Sequence, residues 1–135
     1  MAITGTITGT TSNQYIDAKI EYSYTQDTEN NTSTITATLY FRRNNTGYTT
    51  SGTGTFSIAI AGSVQTITKY MNIGTGWANA GSITKTVSHN ADGSKSVSIS
   101  ASGSMPDTTL TATSCSGTVK LNTIPRASTI TTAAQ

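Results

Sequence analysis

Charge is what this sequence has least of: Asp, Glu, Lys and Arg make up 10% of its 135 residues, against about 25% in ordinary globular domains. The basic residues are scattered and the formal net charge is +2. No basic stripe is available to follow a phosphate backbone, so nucleic acid is not an expected partner. The one basic doublet, Arg42-Arg43, reads as a solvated strand end. Cysteine is nearly absent as well. A single Cys115 excludes an internal disulfide and cannot by itself build a metal centre. With nothing near it in sequence to stabilise a thiolate, it reads as a small buried residue. No run approaches the roughly 18 apolar residues of a membrane helix, and the opening segment MAITGTITGTTSN has neither the basic nor the apolar stretch of a secretory signal. The expectation is a chain made in a cytoplasm, with no membrane insertion.

Catalytic groups are equally scarce, at one His, one Cys and six acids. A nucleophilic triad would have to use His89, whose position beside a turn suits capping or edge packing. Asp17 and Glu21 fall on a solvated strand face, and Asp27 and Glu29 in a turn. No two carboxylates therefore face each other as glycoside hydrolysis requires. The segment Asn90-Ala91-Asp92-Gly93-Ser94 has one carboxylate and lacks the ligand repetition of a calcium loop. The inventory predicts no enzyme activity, no cofactor and no metal.

Threonine and serine occupy about a third of the positions. Thr is β-branched and suits a pleated, half-buried surface, so such a chain can form solvated sheet faces without Lys or Glu. Helix formers are sparse and no apolar set recurs with helical spacing. Period two dominates instead. Ile16, Ala18, Ile20, Tyr22 and Tyr24 alternate with Asp17, Lys19, Glu21 and Ser23, and Ile35, Ala37, Leu39 and Phe41 alternate with Thr34, Thr36, Thr38 and Tyr40. These two strands are expected to pair as a hairpin. Phe56, Ile58 and Ile60 mark a third strand ending at Gly62. In SVQTITKYM, Val64 and Ile67 have opposite parity, predicting a bulge or a strand buried on both sides. Residues 82–90 and 95–103 alternate around Asp92-Gly93 and read as a hairpin with a tight turn. In the last strand Leu110, Ala112 and Ser114 share a face, Gly117 interrupts, and Val119 and Leu121 resume, which predicts a bend at the glycine.

About seven to eight strands with turn chemistry between them predict an all-β fold, an antiparallel β-sandwich of immunoglobulin-like or jelly-roll-like topology. The expected organisation is an N-terminal arm or first edge strand at 1–13, a sandwich domain at 14–122, and a linker or extension at 123–135, beginning around Pro125.

Two segments carry a family resemblance: SHNADGSKSVSISASGSM, with His89, Asn90, Asp92, Gly93 and Ser94 in its turn, and SGTVKLNTIPRAST, with Ile124-Pro125-Arg126-Ala127-Ser128 at its exit. Here the chain resembles tail and minor structural proteins of phages that infect Gram-positive bacteria. The likeness spans residues 80–130, and none of its elements is a catalytic motif. It implies a β-rich virion component, assembled in the host cytoplasm and often one module of a longer tail or fibre protein. Other virion proteins and further copies of itself are the implied partners.

Recognition chemistry is confined to aromatics. Trp77 and Tyr48 fall in polar loops, Tyr40 and Tyr70 on strands. Flat rings stack on the apolar C–H faces of sugars, and nearby Asn and Thr can hydrogen-bond hydroxyls, so a bacterial surface polysaccharide is the alternative partner and a carbohydrate-binding adhesin the alternative function. A lone Trp between glycines is more often a plug over the end of a sandwich core.

Overall fold

The computed structural model of the chain describes residues 2–47, 49–106, 108 and 110–126. Where the sequence alternates, strands form: β1 (Ile3–Thr8), β2 (Thr10–Thr11), β3 (Ile16–Asp27), β4 (Thr32–Arg43), β5 (Thr50–Ile60), β6 (Ser63–Ile73), β7 (Ala78–Ser88), β8 (Ser96–Ser104) and β9 (Thr113–Lys120). They make two antiparallel sheets, of order β1-β3-β4-β7 and β2-β9-β8-β5-β6, packed as a β-sandwich. The core is built from the inward parity of each strand, including Ile20, Leu39 and Phe41 from the first sheet and Phe56, Ile58 and Ile99 from the second. Phe41 and Phe56 meet between the sheets, centroids 5.4 Å apart and tilted by 44°, in the range where aromatic pairs attract.

Nine strands among the described residues exceed the seven to eight expected. The N-terminal segment is the source of the difference. It pairs with β3 as the edge of the first sheet, then crosses at Gly9 and pairs as β2 with β9 at the edge of the second. A Cβ on Gly9 would collide with the Cys115 sulfur and the Ser114 carbonyl, so only glycine lets the backbone cross so closely there. The described start of the expected 123–135 linker or extension packs against the body. Ile124 is buried and its N–H donates to the Gly93 carbonyl at 2.9 Å. Residues 127–135 lie outside the described residues.

The β3-β4 hairpin forms in the expected register, pairing Asp17 with Arg42 and Lys19 with Tyr40. The pairing expected across Asp92-Gly93 does not form. β7 pairs with β4, and β8 with β5 and β9, so residues 89–95 bridge the two sheets. Alternation reports which face of a strand is buried, and the same alternation fits a strand in either sheet.

Three local expectations also change. β6 has no bulge and is not buried on both sides: its register with β5 is unbroken, and as an edge strand it exposes Val64 at 61% and Tyr70 at 65%. β9 does not bend at Gly117. Its inward set is Thr113, Cys115, Gly117 and Val119, leaving Ala112 and Ser114 outward. The register shift lies in β7 instead, where Leu39 pairs with Gly81 but Tyr40 with Asn79. The extra residue, Ala80, is fully buried.

Candidate functional site

Residues opposite one another on paired strands share a face, so the β3-β4 register brings Asp17, Lys19, Tyr40 and Arg42 together on the outer surface of the first sheet. The loop from β6 to β7 then sets Trp77 against them. Its ring centroid lies 4.2 Å from Lys19 Nζ and 4.6 Å from Arg42 Cζ, and Lys19 Nζ is also 5.7 Å from the Tyr40 ring. All three distances fall within cation–π range. Each cation is also paired with a carboxylate: Lys19 donates to Glu21 at 2.6 Å and Arg42 Nε to Asp17 at 3.1 Å. Asn44 Nδ2 donates to the other Asp17 oxygen at 3.1 Å.

Trp77 does not plug the core. It is 36% exposed and lies outside the buried cluster, whereas Met105 and Leu110, from the β8-β9 connection, are fully buried, Met105 beside Gly52 and Gly54 of β5. An open depression of about 360 Å³ adjoins the ring, lined by Thr8, Asp17, Lys19 and Arg42. A second, of about 440 Å³, continues over the same sheet face between Thr4, Thr6, Glu21, Thr36, Thr38 and Tyr40. Hydroxyls dominate this face and tie the strands together. Thr34 and Thr86 hydroxyls are 2.9 Å apart, and those of Thr36 and Thr84 3.0 Å.

Of the four aromatics singled out from sequence, the fold unites Trp77 with Tyr40. Tyr70 points outward from β6 on the opposite sheet, and Tyr48 lies outside the described residues. Sequence reasoning missed Lys19, Arg42, Asp17 and Glu21 as parts of this cluster because each alone reads as a solvated strand residue. The cross-strand register, set by the hairpin length, is the signal that groups them. Arg43, taken with Arg42 as a solvated strand end, instead faces inward and donates to Thr50 Oγ1 at 2.6 Å.

A second polar cluster occupies the other end of the sandwich. The buried His89 places Nδ1 2.7 Å from the Gly93 carbonyl and Nε2 2.6 Å from Ser33 Oγ. A carbonyl only accepts, so the Nδ1 proton is the one that caps the turn. Ser33 is fully buried, so the pair ties β4 to the turn at residues 89–95 inside the sandwich. Asn31 Nδ2 donates to the Asn90 carbonyl at 2.9 Å, Gln26 Nε2 to the Asn122 carbonyl at 2.7 Å, and Arg126 to the Thr28 carbonyl at 3.0 Å. Within the turn the hydroxyl of Ser94, and then its backbone N–H, donate to Asp92 and hold its carboxyl below the ordinary value of 3.8. The two segments that carry the phage-tail resemblance are thus a single clasp.

Among the described residues no three His, Cys, Asp or Glu side chains gather as a metal site. Burial pushes the Cys115 thiol up from 9.0 to about 11, the opposite of an activated thiolate. Comparisons with family models, curated proteins and solved structures find no match for this chain.

Proposed function

We propose that this chain is a non-enzymatic structural module of a phage virion, belonging to the tail or tail fibre. The observation that carries the reading is the clasp. The turn at His89–Ser94 and the exit at Asn122–Arg126 are separate in sequence yet close on one another, with Gly93 under the Ile124 carbonyl. Such a joint fixes the course of the chain as far as Arg126. β1 starts at the same end, since Ile3 pairs with Tyr24, whose hydroxyl accepts from the Asn122 N–H at 3.0 Å. The opposite end, with Trp77, then faces away from the attachment. Within the sandwich class we favour an immunoglobulin-like relation over a jelly roll. Counting β3 as the first strand, the order β9-β8-β5 supports it by matching the last, penultimate and third strands of that fold and β3-β4-β7 by matching its A-B-E sheet, while β1 and β2 are additions to it. Immunogold labelling of tailed particles from the source culture tests the proposal: label along the tail is expected, and particles free of label would overturn it.

A second reading, a bacterial-surface glycan adhesin, is favoured by one observation, the exposed Trp77 ring beside paired charges and outside the core. Labelled protein should bind Gram-positive cell walls, and Trp77→Ala should abolish binding while leaving the circular dichroism melt in place.

A further inference from the structure

The hydroxyl-rich outer surface of the first sheet extends well beyond Trp77. The depression beside Trp77 includes Thr8, Asp17 and Lys19, and the next one runs from Tyr40, opposite Lys19, to the adjacent rung of Thr6, Glu21 and Thr38. Successive outward rungs pair Thr8 with Lys19 and Tyr40, Thr6 with Glu21 and Thr38, and Thr4 with Ser23 and Thr36. From Asp17 to Ser23 the track covers about 20 Å at the strand rise of roughly 3.4 Å per residue.

We infer that these two depressions form one binding track for an extended, uncharged polysaccharide chain lying along β3, with Trp77 at one end and Thr4, Ser23 and Thr36 at the other. This rests on the adhesin reading and specifies its ligand. The chemistry argues for a neutral glycan over an anionic one. Lys19 and Arg42, the two cations lining these depressions, are each paired with a carboxylate, Glu21 and Asp17, so a phosphate or uronate would meet a like charge beside each cation. Paired ionic groups and Thr hydroxyls offer fixed donors and acceptors to sugar hydroxyls. Trp77 and Tyr40 supply rings for the apolar sugar faces. Length matters because each further sugar unit meets another rung of hydroxyls without another loss of overall translational freedom.

The test is calorimetric titration of the intact chain with size-fractionated neutral oligosaccharides, from disaccharide to octasaccharide, prepared by partial hydrolysis of Gram-positive wall polysaccharide. An acidic fraction of the same walls is run in parallel. Affinity should rise roughly tenfold, about 1.4 kcal/mol, from the shortest to the longest neutral ligands. Thr38→Arg, which fills the far depression, should remove that gain, and Trp77→Ala should abolish binding at every length. Affinity independent of length, or unaltered by Thr38→Arg, would overturn the track while leaving a Trp77 site in place. Preference for the acidic fraction would overturn the neutral-glycan assignment. No binding by folded protein to any fraction, or binding indifferent to Trp77→Ala, would overturn the adhesin reading together with the track.

Discussion

At the scale of single residues, two backbone positions show how local geometry is tied to the fold. The β5-β6 turn is the two-residue loop Ala61-Gly62 between paired Ile60 and Ser63, with φ values of 51° and 85°. Both central residues are left-handed, as a type I′ turn requires, and Ala is an unfavourable choice for the first. Ala61→Asn should raise stability by about 0.5–1 kcal/mol, read as an increased urea midpoint at unchanged slope. Gly93 is the opposite case. It has φ 88°, and a Cβ there would strike the Ile124 carbonyl, so Gly93→Ala carries both backbone strain and a broken clasp. A loss of about 2–4 kcal/mol is expected from the two together, measured by the same denaturation. Cys115 gives a pH-dependent counterpart. Its thiol is raised in the folded chain, so the neutral form is the one the fold favours and its contribution is intact below pH 9.0 and lost as the pH rises toward about 11. Above pH 9.0 the urea midpoint of the natural chain should therefore fall more steeply than that of Cys115→Ala, which has no thiol to ionise.

Elements were legible to different degrees, and the difference has a physical cause. β3 and β4 could be read almost residue by residue, because each has one buried and one wet face and a polar turn of the right length between them. β6 could not. Its outward face carries the exposed Val64 and Tyr70, opposite Ala59 and Thr53, while inward Gln65 opposes Ile58, so apolar residues fall on both faces and the alternation loses its meaning. Gly117 misled for a related reason: a glycine on an inward position looks like a break, yet here its space is taken by the Ile7 side chain from β1. The β7-β8 connection shows the strongest override. Its Asp92-Gly93 chemistry is that of a tight turn, and a turn does form, with the Gly93 N–H donating to the Asn90 carbonyl at 2.8 Å. What the turn joins is set by its neighbours, Asn31, Ser33 and Ile124, all distant in sequence. Ser33→Ala should cost about 1–3 kcal/mol, since it leaves His89 Nε2 buried without its hydroxyl partner; thermal denaturation of the single mutant reads it directly.

On the scale of the whole molecule, the sandwich has a clasped end and an open one. The clasped end gathers the β3-β4 turn, residues 89–95 and the exit through Arg126, while the open end carries the loop with Trp77. Copies held side by side by their clasped ends would present their Trp77 loops in parallel and gain avidity from weak individual contacts. Under the virion proposal the purified chain should associate symmetrically, and light scattering should return a molar mass that is a small multiple of 14.0 kDa. Val64 and Tyr70 on the β6 edge are the residues to replace with Lys if it does.

The sequence alone determined the all-β class and the buried face of most strands, because these depend on composition and on a two-residue period that each strand carries within itself. It also marked Trp77 and Tyr40. Only the tertiary structure decided which sheet each strand joins, that Met105 and Leu110 close the core in place of Trp77, and that Lys19 and Arg42 stand against its ring. Those outcomes rest on pairings between segments tens of residues apart, where register and packing choose among arrangements that local alternation leaves equal.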